Sequence, residues 1–118
     1  MKVRVLMLIP LVMLSYAKHA TSEIAVPDVE CAAYWQLKTI GLRQEHSIAA
    51  AKASEIYEQQ YIDAKQALTF HLGVEVFTRQ FYDALKVMLE QVGDDLSRVD
   101  VLDTQYQPLC AREKGLNK

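Results

Sequence analysis

Leu68–Phe77 reads LTFHLGVEVF, and whether the chain turns at Gly73 decides how many helices it has. Upstream, Ala50, Ala53, Tyr57, Tyr61, Ala64, Leu68 and Leu72 recur at steps of three or four, with Ala, Glu, Gln and Lys between them. Stripe and propensity together predict a helix over 47–72. Downstream, Val74, Phe77, Phe81, Leu85, Met88 and Val92, with Leu89 beside them, predict another over 74–92. No polar loop lies between the two, which favours one continuous rod. The stripes disagree with that: extending the first one forward requires apolar residues near 79, 83 and 86, where the chain has Arg79, Asp83 and Lys86. The buried face turns through roughly half a revolution at Gly73, and glycine accepts the backbone that ends a helix, so a tight break is expected there. A single helix burying different faces at its two ends is the alternative.

Pro27 can open an earlier helix, with Asp28 and Glu30 suited to its positive end. Val29, Ala33, Leu37 and Ile40 give it one apolar face, and Gly41 is expected to end it. After Gly93, Asp94 or Asp95 can cap a last helix whose inner face is Leu96, Val99, Leu102 and Tyr106, with Pro108 expected to stop it. The prediction is an all-α, four-helix bundle-like domain over 27–110. A flexible leader (18–26) precedes it and a charged tail (111–118) comes after it.

The cysteines bear on this count. In an up-down-up-down bundle the start of the first helix and the end of the fourth lie at one end, so Cys31 and Cys110 can meet; with three helices they fall at opposite ends. One intramolecular disulfide is expected, the alternatives being two buried thiols or pairing between chains.

The N-terminus says where this chemistry takes place. Lys2 and Arg4 precede the apolar run Val5–Leu14, and Ser15-Tyr16-Ala17 puts small residues three before and one before a cut after residue 17. That is the pattern of a cleaved signal peptide (1–17) and implies a periplasmic or secreted protein. The apolar run is about half the roughly 20 residues a membrane helix needs, so no stable membrane insertion is expected after cleavage. Cleavage removes two of the 13 basic residues and none of the 15 acidic ones, leaving 11 against 15 and a net charge of −4. Such a chain has no basic cluster for nucleic acid.

Groups able to carry chemistry are sparse. There is no Gly-x-Ser-x-Gly, no CxxC and no Gly-rich phosphate loop, so no enzyme activity and no cofactor are implied. His71 and Glu75 are four apart and share a face only if the helix continues through Gly73; His46 is a conceivable third metal ligand. Among the aromatic residues, Tyr82 and one of the adjacent pair Tyr34 and Trp35 must point away from the core stripes. Exposed aromatic side chains on a small exported domain suggest a protein-binding face.

The segment Glu30-Cys31-Ala32-Ala33-Tyr34, the alanine- and tyrosine-rich middle and the closing Tyr106-x-x-x-Cys110 resemble a loose, largely uncharacterised group of small exported proteobacterial proteins. The resemblance implies an all-helical fold with a disulfide and supplies no activity or catalytic residue. The expected function is a non-catalytic envelope module that binds another protein, as an inhibitor, immunity or chaperone-like factor. The alternative is a small-ligand or metal carrier using the bundle interior or His46, His71 and Glu75. The oligomeric state is left open.

Overall fold

The computed structural model describes the backbone of residues 27–116 and the side chains of 27–111. The expected signal peptide and leader, 1–26, lie outside the described residues. Among the described residues four α-helices stand in order: α1 (Val29–Arg43), α2 (Ile48–Leu72), α3 (Val74–Gln91) and α4 (Asp103–Leu116), with a 3₁₀ segment, Leu96–Leu102, between α3 and α4. The fold is an all-α bundle. Among the described residues no helix is long and apolar enough to cross a membrane.

The chain does break at Gly73, where φ is +89° and ψ 155°, a conformation outside the range of ordinary L-residues. α2 and α3 fold back on each other, bringing the Tyr61 and Phe81 rings to 5.7 Å. Phe77, Phe81 and Met88 of the predicted stripe are buried, as are Ala50, Ala64 and Leu68 of the upstream one. Leu72 and Val74, the stripe members flanking the break, stay exposed.

α1 departs most from its prediction. The sequence predicts one apolar face, yet Cys31–Trp35, Leu37, Lys38, Thr39 and Gly41 are all buried, because α2, α3, the 3₁₀ segment and α4 surround this helix. Small residues on several sides, Ala32, Ala33 and Gly41, let the neighbours approach. Gly41 does not end α1, which continues to Arg43. A Cβ at Gly41 would stand 2.6 Å from Val99 Cγ1 and 2.9 Å from the Leu96 carbonyl oxygen, so this glycine is a packing contact. Pro27 likewise lies outside α1, one residue before its N-cap, Asp28.

Ser47 starts α2 by accepting the Ala50 N–H at 3.0 Å. Of the two candidates for the last cap, Asp95 serves: its carboxylate accepts from the Ser97 N–H at 3.0 Å and the Ser97 hydroxyl at 2.7 Å. It caps the 3₁₀ turn, irregular at Arg98, and α4 begins only beyond that turn. Pro108 does not stop α4 but lies inside it. Its missing N–H leaves the Thr104 carbonyl without a helical partner, while buried Tyr106 and Cys110 hold the helix to α1 on either side.

Cys31 and Cys110 form the disulfide, with Cα atoms 5.6 Å apart and a separation of 79 positions in sequence. It joins the first turn of α1 to α4, as the four-helix count requires.

Candidate functional site

Every third or fourth residue along one side of α1 meets the 3₁₀–α4 segment, which runs antiparallel to it: Gly41 against Val99, Lys38 against Asp100, Tyr34 against Asp103 and Tyr106, Cys31 against Cys110. Lys38, only 4% exposed, donates to Asp100 Oδ1 at 2.6 Å and to Asp103 Oδ2 at 3.2 Å. Its ammonium also stands 5.5 Å from the centroid of the Tyr57 ring. The Tyr34 hydroxyl donates to Asp103 Oδ1 at 2.7 Å, while its ring stacks on Tyr106 and meets Tyr57 edge-on.

The protonation states come from these contacts. Burial pushes the Tyr34 hydroxyl well above the usual tyrosine range, and the hydrogen bond to Asp103 adds to this. Burial alone would lower Lys38, but its hydrogen bonds to Asp100 and Asp103 outweigh that and hold it above the ordinary lysine value. Tyr106 is raised by burial and by the charge of Glu30. A lysine held protonated and a tyrosine held neutral supply neither a base nor a nucleophile near neutral pH. Chemically the cluster is a charged clamp fastening α1 to the end of the chain.

Beside the clamp opens a groove of about 370 Å³ between α1, α2 and α4. Tyr34, Trp35 and Tyr57 line it with aromatic rings, and Cys110 of the disulfide lines it too. Gln60 and Gln107 bring amide groups to it. Ile56 stands at its mouth, 59% exposed. The adjoining depression, which shares Ile56 and Gln60, adds Glu55, Gln59 and Asp63.

The aromatic residues expected to form a binding face are divided by the structure. Tyr34 and Trp35 are both buried, so neither points away from the core as expected; an enclosed helix offers a neighbour to adjacent positions alike. They line a groove instead. Tyr82 is 63% exposed on α3, edge-on to Phe81, and does not line that groove.

The structure does not bring the candidate metal ligands together. His46 precedes α2, in the loop after α1, and His71 is its penultimate residue; a helix of 25 residues spans about 37 Å. His71 packs against the Phe70 ring, and Glu75 lies beyond the break at Gly73. Among the described residues no three metal-ligating side chains come together.

Sequence reading missed Lys38, Asp100 and Asp103. A signal was present: Cys31, Tyr34 and Lys38 take the i, i+3, i+7 spacing of one helix face, so the side bearing the disulfide also bears Lys38. No protein-family model, curated protein or solved structure matches the chain.

Proposed function

We propose that the protein is an exported, disulfide-closed helical module, periplasmic or secreted, that binds another envelope protein through the groove between α1, α2 and α4. The observation that carries this reading is Ile56, a large apolar side chain left 59% exposed at the mouth of an aromatic-lined groove. Removing it from water on binding is favourable at about 25 cal/mol per Å². Gln60 and Gln107 offer amide groups to a partner backbone, and Glu55 and Asp63 set carboxylates beside the apolar patch. The partner this suits is a protein segment presenting an apolar side chain flanked by Lys or Arg.

A photo-crosslinking residue placed at Gln60 tests the reading in intact cells. The expected result is one discrete protein adduct, lost in Ile56→Asp and in the charge reversal Glu55→Lys/Asp63→Lys, but kept in Lys86→Glu on α3. An adduct insensitive to the groove substitutions, or none above background, would sink the proposal.

A further inference from the structure

The break between α2 and α3 is one residue long. Because φ at Gly73 is +89°, the helical N–H to carbonyl ladder cannot pass through it: the bonds from Val74 to Phe70, Glu75 to His71 and Val76 to Leu72 are all interrupted. The ladder stops with Gly73 N–H on the Thr69 carbonyl at 2.9 Å and resumes with Phe77 N–H on the Gly73 carbonyl at 3.0 Å. Among the described residues no side chain caps the start of α3. Around this junction apolar side chains face water: Phe70 is 84% exposed and Val74 66%. In a continuous helix Phe70, Val74, Phe77 and Phe81 would fall on one face at steps of four, three and four, extending the core stripe of α3 backwards through the junction.

We propose that Gly73 is the hinge of a domain exchange between two copies of this chain. In it α2 and α3 become one helix, and each copy seats its α3–α4 half on the α1–α2 half of the other. Every contact between the halves is kept, but between chains: Tyr61 with Phe81, Lys38 with Asp100, Tyr34 with Asp103 and Cys31 with Cys110. The three interrupted backbone bonds form, and Phe70 and Val74 of the two long helices lie at the seam near the two-fold axis. The disulfide then fixes the choice. Closed within one chain, it ties α4 to α1 and forbids exchange; closed between chains, it makes the dimer covalent. The exchange therefore belongs to the interval before oxidation.

Gly73→Ala is the decisive variant. Among the described residues nothing lies within 4 Å of a Cβ at this position, so the substitution introduces no clash; it acts only by penalising the positive φ that the closed hairpin requires and the continuous helix does not. Reduced wild-type and Gly73→Ala chains are refolded at the same concentration and oxidised with glutathione disulfide. Each new Cys31–Cys110 bond passes two electrons to the oxidant, which accepts the two thiol protons and leaves as two glutathione thiols. Non-reducing denaturing electrophoresis and intact mass then read the product. The variant is expected to give at least tenfold more covalent dimer, four hydrogens lighter than two reduced chains, with no free thiol and no ladder of larger species. Spin labels on Gln59→Cys and Lys86→Cys, attached in a Cys31→Ala/Cys110→Ala/Gly73→Ala chain diluted into unlabelled copies, should report about 40 Å, the length of 27 helical residues. A four-residue Gly-Ser insertion after Gly73 should return the covalent monomer. Equal monomer yield in wild type and Gly73→Ala, a short intrachain distance, or a ladder of random crosslinks would each overturn the proposal.

Discussion

The Tyr34 hydroxyl reaches Asp103 across 69 residues of sequence at 2.7 Å, on the same carboxylate that accepts the Lys38 ammonium. Asp103 is thus the shared acceptor of the clamp, whereas Asp100 holds Lys38 alone and is 70% exposed at its side chain. Asp103→Ala should cost about 2 kcal/mol, since it leaves a buried hydroxyl unpaired and takes one counter-charge from a buried lysine. Asp100→Ala should cost less, because it takes one of the two counter-charges from Lys38 but leaves no hydroxyl without a partner. Urea unfolding of the two variants checks the order; equal losses would show that Asp103 does not carry the clamp.

Alkaline pH should weaken the fold. Tyr34, Lys38 and Tyr106 all have folded pKa values above their ordinary 10.0 to 10.5, so the folded chain holds more protons than the unfolded one above about pH 10. Stability from these groups is fully present at neutral pH and declines as pH rises past 10. Tyr34→Phe should make that decline shallower. Urea midpoints from pH 7 to about pH 11 are the measurement, and a flat profile in the wild type would contradict the reading.

Gly41→Ala should destabilise the protein by about 1–2 kcal/mol, although alanine is the better helix former by about 1 kcal/mol. The Val99 side chain and the Leu96 carbonyl both have to move. Adding Val99→Ala should shrink the effect of Gly41→Ala, which a double-mutant cycle reads directly. A stabilised Gly41→Ala would mean the 3₁₀ segment gives way freely.

Reducing the disulfide should remove on the order of 4 kcal/mol, the chain-entropy value for closing a loop of 79 residues. The Cys31→Ala/Cys110→Ala variant, taken through thermal unfolding, gives the same comparison without reductant. A loss below about 1 kcal/mol would show that the Lys38 clamp and the core hold the two chain ends together unaided.

Much of the fold was legible because amphipathic helices announce themselves by period. The stripes of α2 and α3 change phase at Gly73, and that phase change, together with the helix count the two cysteines call for, favoured two helices over one. The end of the chain was less legible. A 3₁₀ turn has no apolar period of its own, and Pro108 is a stop signal only when nothing else holds the helix, which Tyr106 and Cys110 do. The candidate site was barely legible. A lysine in a helix reads as solvated unless its partners, 62 and 65 residues away, are known to arrive.

The helical class was readable in the sequence from local propensity, and the break at Gly73 and the Cys31–Cys110 bridge were its favoured readings, each with an alternative that the fold then closed. That α1 is the enclosed helix, that Tyr34 and Trp35 are both covered, and that His46 and His71 stand a helix length apart came from the packing of the elements. Those outcomes depend on which elements meet. Burial of a residue is a property of its neighbours, and the neighbours of α1 are drawn from the whole remaining length of the described chain.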